Sequence, residues 1–143
     1  MQAMGADQRE EGRQKGTALR CRTRVDQVGE LVQLDAVPDG AAMLREEIFG
    51  PVAAIQTFKS EGEVIKRAND TEYGLVAYLY TKDMSRGMRV SEQLEFGMIG
   101  LNRGLVSDPA APFGGMKQSG IGREGAHEGL MEFMETQYIS LAW

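Results

Sequence analysis

The feature that most limits the fold of this chain is an alternation of strand and helix patterns between residues 51 and 102. Three segments have the β-branched and aromatic character of strands: PVAAIQTF (51–58), LVAYLYT (75–81) and MIGLN (98–102). The first follows a Gly-Pro breaker and is expected to be buried. Strands that alternate with helices typically form parallel βαβ units, so the sequence predicts an α/β fold.

Two helices are predicted between these strands. Ser60 and Glu63 have the spacing of a capping box, in which the serine accepts from the N3 amide and the glutamate reaches back. The apolar face of this helix is formed by Val64, Ile65 and Ala68. Asp83 can cap the second helix, and Gly97 marks its end. The apolar residues of this second helix are Met84, Met88 and Leu94.

The segments on either side of this region have different characters. VGELVQLDAV (28–37) predicts a short strand, followed by a turn at Pro38-Asp39-Gly40. Residues 103–125 form a long loop with six glycines and two prolines, and long loops in compact proteins are usually functional or disordered. An amphipathic helix is predicted from the spacing of Ala126, Leu130, Phe133 and Met134. The final QYISLAW (137–143) alternates as a strand does, and its uncovered edge suggests pairing with another chain or domain.

Length, charge and single residues exclude several classes of protein. A chain of 143 residues is one domain by length, and it has no apolar run near the roughly 18 residues of a membrane span. The net charge of −5 argues against a nucleic-acid partner. The only cysteine is Cys21 and the only histidine is His127, which argues against a metal site. No secretory signal is present, and these properties together predict a cytoplasmic protein.

The first 24 residues differ from the rest in charge. They carry six basic and three acidic residues, and they lack helical or strand periodicity. We interpret residues 1–36 as a disordered or otherwise separate N-terminal segment. A transit peptide is the weaker interpretation, because such peptides avoid acids and this segment contains Asp7, Glu10 and Glu11.

Three isolated features permit a functional interpretation beside a plainer one. Residues 120–125 match G-x-G-x-x-G, but the motif follows a polar loop and not a hydrophobic strand, so a closely packed glycine loop is the alternative to a dinucleotide site. Basic neighbours could lower the pKa of Cys21, yet no base can be placed near it, and an incidental thiol is the alternative. His127 is expected at the surface, and Ser119 lacks the context of a nucleophile elbow.

Three longer motifs together carry a family resemblance. EEIFGPV (46–52), ANDTEYGLVAYLYTKD (68–83) and PFGGMKQSGIGREG (112–125) closely resemble the C-terminal part of the aldehyde dehydrogenases in order and spacing. The resemblance extends from Val37 to Trp143, whereas residues 1–36 do not resemble the family sequence expected there. Within the family, NRGLVS followed by APFGG is most similar to members that oxidise succinate semialdehyde.

The resemblance implies a domain division and a reaction. Residues 37–136 would be part of the catalytic domain, and 137–143 would be a strand that crosses between subunits of a homo-oligomer. In the family a thiolate attacks the aldehyde, hydride passes to NAD or NADP, and water releases the acid. The nucleophile lies in a Gly-Gln-x-Cys context far before the EEIFGP motif. Cys21 has no such context, so the resemblance assigns this chain no catalytic residue.

The resemblance assigns binding roles to four residues. Glu47, the second glutamate of EEIFGP, would hold the ribose hydroxyls beside the nicotinamide, since a carboxylate can accept from two O–H donors. Phe49 would pack by the nicotinamide ring. Phe113 resembles the aromatic wall of the substrate pocket, and Ser107 resembles a serine that contacts the substrate carboxylate. Core filling is the alternative for Phe49, and a plain loop position is the alternative for Ser107.

Two functional classes therefore stay open. The chain is either a segment of an NAD- or NADP-dependent aldehyde dehydrogenase that acts with the rest of its enzyme, or an orphan fragment that acts as an interaction module. The first class implies a small aldehyde substrate and a homo-oligomer. Neither class implies a nucleic-acid or membrane partner.

Overall fold

The computed structural model describes residues 2–5, 20–26 and 29–143. The strands are β1 (Gln2–Gly5), β2 (Arg20–Asp26), β3 (Gly29–Asp35), β4 (Val52–Ile55), β5 (Tyr73–Gly74), β6 (Val76–Tyr80), β7 (Met98–Leu101) and β8 (Met116–Lys117). The helices are α1 (Glu61–Asn69), α2 (Met84–Gln93) and α3 (Ala126–Met131), with a 3₁₀ turn at Ala42–Leu44. Two compact units result, a first unit of Gln8–Val64 and a second unit of Met1–Asp7 with Ile65–Trp143.

The first unit contains a three-stranded sheet in the order β2-β3-β4. Strands β2 and β3 are antiparallel, whereas β3 and β4 are parallel with Val32 opposite Val52. The turn after β3 is fastened to β4 by Gln56, whose Nε2 donates to Val37 O at 2.9 Å and to Asp39 Oδ1 at 3.0 Å. The strand predicted over 51–58 is therefore present but shorter and only half-buried, since β4 has one sheet neighbour and Ile55 is 37% exposed.

Helix α1 begins with the predicted cap. Ser60 Oγ accepts from the backbone N–H of Glu63 at 3.2 Å. Glu63 Oε2 accepts in return from the N–H of Lys59 at 2.9 Å, one residue before the position that a capping box uses. Two exposed N–H groups at the helix start are thus satisfied by side chains.

The second unit is built on the parallel sheet β1-β6-β7. The connection β6-α2-β7 is one of the predicted parallel βαβ units, whereas the unit predicted over β4, α1 and β6 is wrong, because β4 belongs to the other three-stranded sheet. Strand β6 lies between two strands, with Ala77, Tyr78 and Leu79 all buried. A central parallel strand is covered on both faces, which explains its continuous apolar run. The core cluster consists of Ile65, Ala68, Ala77, Leu79, Val90, Leu94 and Phe96.

Helix α2 is capped as predicted but turns a different face inward. Asp83 Oδ1 accepts from the N–H of Arg86 at 3.1 Å, and this bond, with the nearby Arg86 charge, lowers the pKa of the Asp83 carboxyl. Of the three apolar residues named for this helix, Leu94 joins the core, whereas Met84 and Met88 are 65% and 52% exposed. Gly87 and Val90 are buried instead, because a helix without a Cβ at Gly87 can lie close to the Leu101 side chain.

The C-terminal part of the chain departs most from the predictions. The loop 103–125 contains β8, which pairs with β5. Helix α3 is only six residues long, so Phe133 and Met134 lie beyond its end, and Leu130 and Phe133 are exposed. Residues 137–143 have no strand in the structure, and all are exposed. A strand needs a hydrogen-bonded neighbour, and within this chain QYISLAW has none in the described part.

The interpretation of residues 1–36 as disordered falls partly outside the described residues. The described parts of that segment are β1, β2 and β3. Across the described residues, no helix is both long and apolar enough to cross a membrane.

Candidate functional site

The motif EEIFGP follows the 3₁₀ turn of the first unit. Backbone bonds within this turn end with the N–H of Glu46 donating to Ala42 O at 2.8 Å. Glu47 then lies exposed on an irregular stretch, and Phe49 is 97% exposed just before the Gly50-Pro51 step into β4. An aromatic ring that is almost wholly exposed is not core, so the core-filling alternative for Phe49 fails within this chain.

Phe113 lies on the glycine-rich loop of the second unit. It exchanges two backbone hydrogen bonds of 2.7 Å with Glu124, an isolated bridge that closes the loop on itself. The side chain is half-buried and lines a cavity of about 480 Å³, together with Leu75, Ile121, Arg123 and Phe133. A concave surface with apolar walls and a few polar groups is the usual form of a small-molecule site.

Close backbone contacts define the position of this loop. Gly97 lies directly against Gly114, and a Cβ on Gly97 would overlap the Gly114 carbonyl oxygen. The N–H of Gly97 donates to Gly74 O at 2.9 Å, while Ser119 Oγ accepts from the N–H of Gly74 at 2.9 Å. The loop that carries Phe113 therefore approaches the strand ends at van der Waals distance, which only glycines permit.

Arg123 fastens the same loop from inside. Its Nη1 donates to Gly115 O at 2.8 Å and to Gly122 O at 2.7 Å, and its backbone N–H donates to Glu132 Oε1 at 3.2 Å. In the sequence, Arg123 is prominent only as a member of the G-x-G-x-x-G pattern. A guanidinium offers five donors in a fixed plane, so an arginine among glycines is the signal that could have identified it.

Asn102 supports the start of the segment that carries Ser107. Its Oδ1 accepts from the N–H of Thr81 at 2.9 Å, and its Nδ2 donates to Thr81 O at 2.8 Å. The side-chain amide thus extends the β6–β7 pairing by one step, from a left-handed backbone with φ of 53° that asparagine tolerates. Ser107 itself is exposed on the following loop.

The predicted site residues are thus divided between the two units. Glu47 and Phe49 belong to the first, and Ser107 and Phe113 share one loop of the second. His127 is exposed as predicted, and the Ser119 hydroxyl accepts a hydrogen bond from the backbone N–H of Gly74. No group of three potential metal ligands occurs among the residues that the structure describes.

Residues 120–125, which match G-x-G-x-x-G, form a loop in the structure. Gly120, Gly122 and Gly125 have φ of 115°, 84° and 68°, and two residues separate β8 from the first of them. A Cβ on Gly125 would approach Ala111 O at 3.1 Å. These contacts support the packed glycine loop over a dinucleotide-binding turn, which requires a preceding buried strand.

Comparison with known proteins assigns the family. The aldehyde dehydrogenase family model matches residues 4–139, and the chain belongs to this family. The match begins within the segment 1–36, which the motifs did not cover.

Individual relatives agree with this assignment. The chain is 59% identical over 106 residues to a succinate-semialdehyde dehydrogenase of Paenarthrobacter nicotinovorans, covering 74% of this chain and 24% of that protein. It is 52% identical over 106 residues to a glutarate-semialdehyde dehydrogenase of Pseudomonas putida, covering 74% and 22%. The crystal structure of an aldehyde dehydrogenase from Brucella melitensis biovar abortus 2308 matches with a TM-score of 0.77 and 48% identity, over 85% of this chain and 26% of that one. The chain therefore spans about a quarter of the length of the curated relatives it matches.

Proposed function

We propose that this chain supplies the cofactor contact, part of the substrate pocket and a subunit contact of an NAD- or NADP-dependent aldehyde dehydrogenase, with succinate semialdehyde as substrate. The observation that carries the proposal is the position of Phe113. Its side chain lines the cavity of the second unit, on a loop fixed by two backbone bonds to Glu124 and by Arg123. We assign residues 37–136 to a partial catalytic domain, residues 137–143 to a subunit contact and a cytoplasmic location to the protein.

Glu47 and Phe49 fit the nicotinamide end of the cofactor. Both side chains are exposed, and only Ile48 separates the carboxylate, which can accept from hydroxyls, from the ring, which lacks protein cover. A flat aromatic ring can cover one face of a nicotinamide, while the carboxylate accepts from two ribose O–H groups. When bound, the cofactor supplies the hydride acceptor, and these residues orient it.

Phe113 and Ser107 fit the substrate side. The ring excludes water from one wall of the pocket, and the exposed hydroxyl can donate to a carboxylate. A substrate with an aldehyde at one end and a carboxylate at the other matches such a pair. The nucleophile is not assigned to this chain, whose single cysteine, Cys21, has no base assigned to it.

A chimera tests this function directly. Residues 37–143 would replace the corresponding part of the Paenarthrobacter succinate-semialdehyde dehydrogenase, so that the rest of that enzyme would supply the nucleophile. We expect oxidation of succinate semialdehyde with kcat/KM at least about tenfold above that for butanal, since a charged hydrogen bond contributes roughly 1.5–3 kcal/mol. Equal activity towards the two aldehydes would contradict the semialdehyde assignment.

In this chimera, Glu47→Gln should slow hydride transfer roughly ten- to hundredfold and change the cofactor Kd much less. The variant keeps the size of the side chain but loses the charge and one acceptor, so the nicotinamide leaves its near-attack position. Single-turnover absorbance at 340 nm measures the step. Glu46→Gln, the neighbouring exposed carboxylate, is the matched control and should leave the rate unchanged. An unchanged hydride-transfer rate in Glu47→Gln would remove the ribose role.

A second candidate function is favoured by one observation. Exposed apolar side chains are concentrated near the C-terminus, where Phe133 is 92%, Tyr138 87% and Trp143 113% exposed. Large apolar side chains left exposed in this number can take part in binding another chain. The orphan-module alternative would use this surface, together with QYISLAW, to bind a partner chain.

The 143-residue chain alone should therefore self-associate. We expect oligomers or aggregates by light scattering, and binding of a hydrophobic dye, because the apolar side chains of α3 and the C-terminus have incomplete cover. Deletion of residues 137–143 is the comparison variant and should reduce association by removing the strand-forming segment. A monodisperse monomer with cooperative unfolding and no dye binding would contradict this expectation and show that the chain closes its own core.

A further inference from the structure

Lys117 has a backbone conformation that its side chain does not favour. It lies in β8 opposite Tyr73, with φ of 55°, in the left-handed region where residues with a Cβ are strained. Such conformations persist where surrounding contacts over-determine them. The contacts of the Lys117 side chain should therefore show which interactions stabilise this strained backbone.

The ammonium of Lys117 has a complete set of partners. Its Nζ donates to Asn69 O at 2.7 Å and to Thr71 O at 3.2 Å, and it forms an ion pair with Glu95 Oε2 at 2.7 Å. An ammonium has three N–H donors, so these acceptors use all of them. Asn69 is the last residue of α1, where carbonyls lack helical partners and a cation is favourable.

Two of these partners, Asn69 and Glu95, also take part in hydrogen bonds that join the end of α1 to the end of α2. Asn69 Nδ2 donates to Gln93 O at 2.8 Å, and Asn69 Oδ1 accepts from the N–H of Glu95 at 2.9 Å. Lys117 thus joins β8 to a point where the end of α1 and the end of α2 are already fastened together. The Glu95 side chain is 58% exposed, so water screens the ion pair, and the two carbonyl acceptors are the more important partners of Lys117.

The same loop carries Phe113 four residues earlier. Between the two residues, the carbonyl of Gly115 accepts from Arg123, and just beyond Lys117 the N–H of Gln118 donates to Glu72 O at 3.0 Å. The loop is thus held from inside by Arg123 and from outside by Lys117. Without the Lys117 contacts, the outer side of the loop is held by weaker means, such as the bond from Gln118 N–H to Glu72 O and the β5–β8 pairing.

We propose that Lys117 is a positioning residue for substrate binding: it fixes the glycine-rich loop against the ends of α1 and α2 and so holds Phe113 in the pocket wall. The inference rests on the proposed function. Because Lys117 acts through Phe113 on the bound substrate, it should affect KM more than the chemical step.

The test compares Lys117→Met, Lys117→Arg and the control Lys82→Met, an exposed lysine after β6, in the chimera described above. Hydrogen exchange at the amides of Phe113, Glu124 and Gln118 reports the loop without any need for activity. We expect Lys117→Met to speed this exchange about tenfold. KM for succinate semialdehyde should rise about fivefold with kcat within about twofold, and Lys117→Arg should restore part of both effects. Lys82→Met should change neither.

Each result has a definite meaning. Unchanged exchange in Lys117→Met would overturn the inference and leave the proposed function intact. Faster exchange with an unchanged KM would also overturn it, because the loop would then be fixed by Lys117 without affecting substrate binding. A fall in kcat with KM unchanged would indicate general destabilisation instead of positioning. If the unsubstituted chimera oxidised no aldehyde, the proposed function would fail, and the exchange result alone would decide whether Lys117 fixes the loop.

Discussion

The 143-residue chain alone is expected to form no NADH or NADPH from succinate semialdehyde. Covalent aldehyde oxidation needs a thiolate and a base that deprotonates it. Cys21 is the only thiol, it lies in β2, and no base is assigned to it. Removal of a catalytic nucleophile typically costs roughly 10⁶-fold in kcat, which places the expected rate below detection.

The measurement is the formation of NADH or NADPH, followed as absorbance at 340 nm. The chain is used in large excess over the amount of complete enzyme that gives a detectable signal. The complete Paenarthrobacter succinate-semialdehyde dehydrogenase is the positive control. Turnover that is measurable in the chain and abolished in Cys21→Ala would contradict the expectation and give Cys21 a catalytic role. Turnover that survives Cys21→Ala would point to a contaminating enzyme.

Gly97→Ala should be the most destabilising single substitution proposed for this segment. The added methyl group would overlap the carbonyl oxygen of Gly114 and approach Gly115 Cα at 2.8 Å. These are backbone atoms of a loop fixed by Arg123, so they cannot move aside as a flexible side chain would. We expect a loss of about 3 kcal/mol, the upper part of the range for overpacking.

Thermal and urea unfolding of the chimera measure this effect. Gly104→Ala is the matched control, because the nearest atom to its added Cβ is Tyr80 Oη at 4.0 Å, and it should change stability by less than about 0.5 kcal/mol. Since Gly114 is bonded to Phe113, a folded Gly97→Ala variant should also lose affinity for the semialdehyde. Equal stability of the two alanine variants would show that the loop yields easily at Gly114.

Local signals predicted local structure well. The caps at Ser60 and Asp83 depend on residues three apart in sequence, and both are present. Hydrophobicity alone does not identify the inward face of α2. Met84 and Met88 are more apolar than Gly87 but lie exposed, whereas Gly87 is buried. Gly87 can face inward because the Leu101 side chain of β7 leaves little room for a Cβ at this position. The spacing of apolar residues along the helix does not contain that distance.

The remaining differences depend on partners distant in sequence. Strand β8 has two residues, too few to show any period, and it exists because β5 lies beside it. The roles of Asn102 and Lys117 depend on backbone acceptors at Thr81 and Asn69 that no motif contains. Family resemblance identified Glu47 and Phe113 as candidate site residues. The hydrogen bonds that hold the loop of Phe113 in place could be recognised only from the structure.

The sheet of the second unit also dictates an order of assembly. Strand β7 pairs with β6 across the short α2 connection, whereas Gln2 of β1 pairs with Ala77, more than half the chain length away. Closing the longer loop costs more chain entropy, so β6, α2 and β7 should form first and β1 should join them last. During synthesis β1 leaves the ribosome before β6 and can pair only after β6 has been made. Until β6 is made, β1 is an unpaired strand edge, and this interval is where chaperone binding or misassembly would act.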